Sequence, residues 1–154
     1  MSLNKNFLSL DKFIHQALYS PKTGFYMKKN PFGDKGDFIT SPLISVLFSE
    51  MLSVWMVAFW QNLKCPKNIN LIELGAGNGQ MMYDMINSFK SFPEFNKSCK
   101  FYIFETSPHL KKIQKERLKG FNVIWIKNLN EIKKNYNIFI ANEFFDALPI
   151  KQFF

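Results

Sequence analysis

The chain has 154 residues, enough for one hydrophobic core, and its 47% apolar content with 17% aromatics places it among globular rather than disordered proteins. Its net charge of +8 suggests a nucleic-acid or membrane surface, but nineteen of the twenty basic residues are lysines scattered along the chain and Arg117 is the sole arginine. That pattern reads as a solvated surface, so no nucleic-acid partner is expected. Cys65 and Cys99 belong to no CxxC pair, and His15 and His109 lack ligand neighbours at a useful spacing, so neither a disulfide framework nor a metal site is expected.

The first residues have no signal-peptide core and no Arg-rich amphipathic pattern. Leu10, Phe13, Ile14, Ala17 and Leu18 then form a helical stripe over 10–19, with Asp11 in the first turn. Ser20-Pro-Lys-Thr-Gly24 stops it, and Phe25-Tyr26-Met27 reads as a short extended piece. The loop from Asn30 to Thr40, with Gly36 and Asp37, is polar beside aromatics, a composition common in binding loops. Ser41-Pro42 predicts a helix start, Ser as N-cap and Pro at the first position. The mostly apolar stretch to Trp60 approaches the length of a membrane span. Glu50 near its middle and serines at 45, 49 and 53 argue instead for a buried or interface helix. Gln61 to Asn70, containing Pro66, is the hinge into the next unit.

That unit is the stretch Ile69-Asn-Leu-Ile-Glu-Leu-Gly-Ala-Gly-Asn-Gly79. Leu71, Ile72 and Leu74 read as a buried parallel strand, which breaks at Gly75, Gly77 and Gly79 before helical spacing resumes over 81–86. Strand, glycine turn and helix bring a backbone close to a nucleotide-like ligand, because glycine allows φ > 0 and carries no Cβ. The dinucleotide fingerprint G-x-G-x-x-G needs glycine at position 80, where this chain has Gln80. The spacing that stands here, Glu73 two residues ahead of three alternating glycines, resembles motif I of class I S-adenosylmethionine methyltransferases.

Ser91 to Ser98 reads as a loop. Phe101-Tyr-Ile-Phe-Glu105 is a second strand, and Ser107-Pro108 starts a helix through Leu110, Ile113, Gln114 and Leu118 that ends near Gly120. Phe121 to Ile126 is a third strand, Leu129 to Lys134 a short polar helix or turn, and Ile138 to Asn142 a fourth strand. Strands alternating with helices from residue 69 onward predict an α/β fold with a doubly wound, mainly parallel sheet behind an N-terminal helical lead-in. The expected division is a lead-in over 1–64 and the first half of a core over 65–154. The chain ends where a further element of such a sheet would begin, so the C-terminal part of the sheet is expected to be missing and apolar surface to be exposed beside the fourth strand.

Glu105 ends the second strand thirty residues after Gly75, where an acid accepts hydrogen bonds from the ribose of a bound nucleoside. That position serves nicotinamide and S-adenosylmethionine enzymes alike. Asn142, Glu143 and Asp146 follow the fourth strand, over the expected ligand crevice, and Phe144 and Phe145 can exclude water there. Carboxylates on this loop could pair with a guanidinium and accept a proton.

Six segments stand in the order and rough spacing of the MidA family: 19–26, 36–42, Phe48-Ser-Glu50, 73–79, 105–108 and 141–149. The chain therefore resembles class I S-adenosylmethionine-dependent methyltransferases with a Rossmann-like fold. The resemblance implies a cofactor site of Glu73, Gly75, Gly77, Gly79 and Glu105, helped by Gly36 and Asp37, and a catalytic substrate site of Asn142 and Glu143. It implies methylation of a protein side chain, arginine, with a respiratory NADH dehydrogenase subunit as partner in complex I assembly. The expected setting is the cytoplasm in a bacterium or the mitochondrial matrix in a eukaryote. Ala76 and Asn78 depart from the Pro and Arg common in the family. The rival readings are a non-catalytic assembly scaffold that binds through the 43–60 helix, and a nicotinamide enzyme, which the missing glycine at 80 disfavours.

Overall fold

The computed structural model describes residues 7–28, 31–33, 36–38 and 40–153. Four strands form one sheet: β1 Ile69–Leu74, β2 Cys99–Phe104, β3 Val123–Ile126 and β4 Tyr136–Ile140. Every pairing is parallel and the order is β3-β2-β1-β4. The chain therefore winds outward from β1 to β3 and crosses back to lay β4 on the other side of β1. The crevice at the carboxyl ends of β1 and β4 is the point where the winding reverses, the usual ligand position in such sheets.

Helices cover the sheet as the sequence pattern requires. All six residues of β1 are buried, because it lies centrally between β2 and β4. Helix α5 Gln80–Phe89 presents Met81, Met82, Met85, Ile86 and Phe89 to the core. Helix α7 Pro108–Arg117 is capped by Ser107, whose hydroxyl accepts from the Leu110 N–H, and buries Leu110 and Gln114. Residues 93–98, expected as loop, form a short helix, α6, started by Pro93, and its Phe95 packs against Phe89 and Trp60.

The lead-in differs from expectation in three places. Helix α1 spans Leu10–Tyr19 as the stripe predicts, but buries none of its residues fully, and Phe13 is exposed. Phe25–Lys28, expected as extended, is a helical turn, α2, in which Phe25 and Tyr26 pack edge to face. The single helix expected from Ser41 is two: α3 Ser41–Ile44, preceded by Thr40 as N-cap, and α4 Val46–Asn62. Ser45 takes an extended conformation between them, and its hydroxyl accepts from the Leu47 N–H, so the serine read as an interior position is the second cap. Asn30, Asp34, Lys35 and Ile39 of the 30–40 loop lie outside the described residues.

Helix α4 turns Ser49, Ser53, Met56, Val57 and Trp60 inward and packs along α5, so Met56, Val57 and Trp60 of the lead-in share one core with the sheet. Trp60 also donates its indole N–H to the Pro66 carbonyl at 2.9 Å, which anchors the hinge. The opposite face of α4, with Leu47, Met51, Val54 and Trp55, is exposed. On the far edge of the sheet, Tyr136 and Phe139 of β4 are exposed as well. Among the described residues, no helix is long and apolar enough to cross a membrane.

Candidate functional site

Glu73 stands on β1 between Ile103 of β2 and Ile140 of β4, where the pleat turns it into the interior near the carboxyl edge. It is 2% exposed, and burial, with the nearby Glu105 charge, pushes its carboxyl up to about 8. The Met82 backbone N–H opposes this only in part. Its Oε2 atom has no hydrogen-bond partner among the described residues. A buried carboxylate oxygen left alone is costly, and it marks a place that a cationic or donor group would complete.

Directly beyond it the chain turns through Gly75, Gly77 and Gly79, at φ of 67°, 52° and 83°. These left-handed conformations need glycine, and the missing side chains leave the backbone open to a close neighbour. A Cβ on Gly75 would meet the Phe144 ring at 2.6 Å, and one on Gly77 would meet the Phe32 ring at 3.4 Å. Asn78 accepts from the Gln80 N–H at the start of α5, tightening the turn. Gln80 in turn donates to both carboxylate oxygens of Asp84 and accepts from Arg117.

Glu105 follows β2 and is buried, which raises its pKa, while its hydrogen bonds lower it in part. Its Oε1 accepts from the Ser107 N–H at 2.8 Å and its Oε2 from the Gln114 side chain at 2.9 Å. The same Gln114 amide donates to the Gly77 carbonyl at 2.9 Å, and its carbonyl accepts from the Trp125 indole at 3.0 Å. A carboxylate offers about four lone-pair sites, so two remain for a ligand hydroxyl pair.

The third component follows β4. Glu143 takes φ 47°, a left-handed conformation rare for a residue with a side chain, and such strain collects at functional sites. Asn142, Glu143 and Asp146 line a cleft of about 230 Å³ together with Glu73, Gly75 and Gly77. Phe144 faces the edge of Phe104 and covers Gly75. The lead-in closes the remaining side with Leu18, Tyr26, Phe32 and Phe38. Tyr26 stacks between Tyr19 and Phe32. Two hydrogen bonds fasten these rings to the core: Tyr19 donates to the Ala147 carbonyl at 2.8 Å, and Ser107 donates to the Tyr26 carbonyl at 2.7 Å.

Of the nine expected site residues, Glu73, Gly75, Gly77, Asn142 and Glu143 line the cleft, Glu105 borders the adjoining hollow with Gly75, Gly77 and Glu143, and Gly79, as N-cap of α5, packs against Gln114 instead. Gly36 and Asp37 stand apart from the cleft lining given by the described residues. Gly36 sits in a tight turn against Pro31, where a Cβ would fall 2.3 Å from the Pro31 carbonyl oxygen. Their turn instead carries Phe32 and Phe38, which do line the cleft. Sequence reasoning passed over Tyr26 and Phe32, and treated Gln114 as one more position of an amphipathic stripe. A polar residue on that stripe was the available signal.

A glycine turn under a crevice, with one acid in its floor and another at the next strand end, defines a nucleoside-binding α/β protein. The family model described as S-adenosyl-L-methionine-dependent methyltransferase matches residues 51–154, and the chain belongs to that family. It is 32% identical over 169 residues to the mitochondrial protein arginine methyltransferase NDUFAF7 of Xenopus tropicalis, which covers 94% of this chain and 39% of that protein. The human protein of the same name is 29% identical over 170 residues, covering 95% of this chain and 38% of that protein. A crystal structure of a COG1565 superfamily member from Burkholderia thailandensis, bound to S-adenosyl-homocysteine, superposes with a TM-score of 0.75 at 25% identity. It covers 92% of this chain and 38% of its own. The chain thus spans about two-fifths of the length of these relatives.

Proposed function

We propose that this protein takes part in S-adenosylmethionine-dependent methylation of a protein side chain, arginine. The observation that carries the reading is the orphaned, buried Oε2 of Glu73 beside a glycine cradle at the point where the sheet winding reverses. A zwitterionic, ribose-bearing cofactor suits both features. S-adenosylmethionine, when bound, supplies a methyl group already activated by its sulfonium centre.

The residues of this chain then have to bind, orient and exclude water. Glu73 would take the ammonium of the amino-acid tail, and Gly75 and Gly77 would let the backbone approach it. Glu105 would accept from the ribose hydroxyls through the lone pairs that Ser107 and Gln114 leave free. The turn of Gly36 and Asp37 would help by holding the aromatic wall. Phe144 would keep water from the reacting atoms. Asn142 and Glu143 are assigned to the acceptor: a carboxylate and an amide at a strand end can hold a guanidinium by paired hydrogen bonds, and Glu143 can take the proton released on transfer.

Arginine is favoured as substrate by the names of the relatives and by the acidic loop Glu143–Asp146 beside aromatic rings. A respiratory NADH dehydrogenase subunit is the first partner to test. A reducing compartment, bacterial cytoplasm or mitochondrial matrix, suits the free Cys65 and Cys99. The scaffold reading has only the exposed apolar face of α4 in its favour.

The test is calorimetric titration with S-adenosylhomocysteine, with NAD as control, followed by transfer of labelled methyl from S-adenosylmethionine to the partner subunit. Micromolar binding of the former alone, worth about 8 kcal/mol, with label on arginine, is the expected result. Binding without label on any partner would return the weight to the scaffold.

A further inference from the structure

We propose that Gln114 is a positioning residue for cofactor binding, locking the ribose-binding acid Glu105 and the glycine turn into one unit. The inference rests on the cofactor reading above. Gln114 is completely buried, yet its amide has no unused group. The two N–H bonds of its NH2 go to the Glu105 Oε2 and to the Gly77 carbonyl, each at 2.9 Å, and its own carbonyl accepts from Trp125 at 3.0 Å. One side chain thus ties together the end of β2, the turn after β1 and strand β3, three segments far apart in sequence.

The arrangement fixes direction as well as distance. Trp125, a donor only, holds the amide oxygen, so the NH2 end must face the carboxylate and the carbonyl. Both recipients are acceptors, and no other residue type of this length offers two donors and one acceptor in a plane. The backbone is fitted to the same residue: a Cβ on Gly79 would lie 3.4 Å from the Gln114 Cα, so α7 packs directly on the turn. With its Oε1 and Oε2 held by Ser107 and Gln114, Glu105 is left one orientation, and its remaining lone pairs point away from both donors. Loss of the Gln114 donors would free the carboxylate to rotate and remove part of what keeps it ionised while buried. The groups facing it are Glu73 on β1, Tyr19 on α1 and Lys111 on α7; only Lys111 favours its charge.

Two variants test this by calorimetry with S-adenosylhomocysteine and with its 2′-deoxyribose analogue. Gln114→Met keeps the volume and removes both donors. Gln114→Glu keeps the shape and the acceptor for Trp125, and serves if the apolar variant does not fold. A donor to a buried charge is worth enough that each variant should bind S-adenosylhomocysteine about tenfold or more weakly at pH 8. The readout that separates positioning from general loosening is the ribose dependence. Wild type should lose about tenfold on going to the deoxy analogue, and Gln114→Met should lose less than about threefold, because its acid no longer meets the hydroxyl. The pH profiles should also diverge: lowering the pH weakens Gln114→Met further, as Glu105 protonates, but strengthens Gln114→Glu, as the introduced carboxyl gains a donor proton. A Gln114→Met protein that keeps the wild-type ratio between the two ligands would overturn the proposal. Wild type that binds neither would overturn the cofactor reading beneath it.

Discussion

Replacing Glu73 with Gln should make the ligand-free protein more stable at pH 8 while weakening cofactor binding. In the folded state burial holds the Glu73 carboxyl at about 8, against 4.5 for an ordinary glutamate. An acid whose pKa rises on folding opposes folding once it must ionise, so its penalty is absent below about pH 4.5, grows as pH rises, and is complete above about pH 8. At about 1.4 kcal/mol per pH unit the full interval corresponds to at most about 5 kcal/mol. That is a sizeable share of the 5–15 kcal/mol typical of a domain. Glu105, also raised by burial, contributes in the same direction. The assay is urea unfolding of wild type and Glu73→Gln at intervals from pH 5 to 8.5. Wild-type stability should fall across this range, and the difference between the two proteins should widen towards high pH. Saturation with S-adenosylhomocysteine should flatten the wild-type slope, because a bound ammonium favours the ionised form, whereas the variant should bind less tightly and show less change. Parallel pH curves for the two proteins would refute the argument, as would wild-type stability that climbs from pH 5 to 8.

Gly75→Ala places a Cβ 2.6 Å from Phe144 at φ 67°, so it should cost at least about 1 kcal/mol in thermal unfolding and reduce S-adenosylhomocysteine affinity by displacing the ring. Tyr19→Phe removes the donor to the Ala147 carbonyl, a loss of about 1 kcal/mol of stability. Labelled methyl transfer should decline more than cofactor affinity, since the bond steadies the loop of Glu143. Glu143→Gly relieves a left-handed backbone at φ 47°, so unfolding stability should hold or rise by about 1 kcal/mol while methyl transfer to arginine collapses. Normal transfer by this variant would remove Glu143 from the acceptor site.

Local pattern determined much of this molecule. Central strand β1 was readable because a strand buried on both faces is mostly apolar, and the one charge in it, Glu73, stood out for that reason. The glycines at 75, 77 and 79 were readable because left-handed backbone has few other solutions. The alternation of strand and helix implied the parallel order, since parallel strands need a crossover between them. Helix caps were less legible. Two serines and a threonine within 40–45 could each start a helix, and the structure breaks the chain at Ser45, whose extended backbone ends α3 and whose hydroxyl caps α4. The short helices α2 and α6 carry aromatic rings that meet other segments: Phe25 and Tyr26 of α2 pack on Tyr19, Phe32 and Phe38, and Phe95 of α6 is buried against Trp60 and Phe89.

The sequence by itself therefore determined the turn, the two acids and the class of ligand, because each follows from backbone sterics or from the cost of an isolated buried charge. Tertiary structure alone decided what surrounds them. That Tyr26 and Phe32 from the lead-in wall the cleft beside Gly75 and Gly77, and that Gln114 reaches the Gly77 carbonyl across 37 residues of chain while holding Glu105, are contacts between separate segments of the fold. No local spacing encodes such contacts, because they form only once the sheet has brought the carboxyl ends of its strands together.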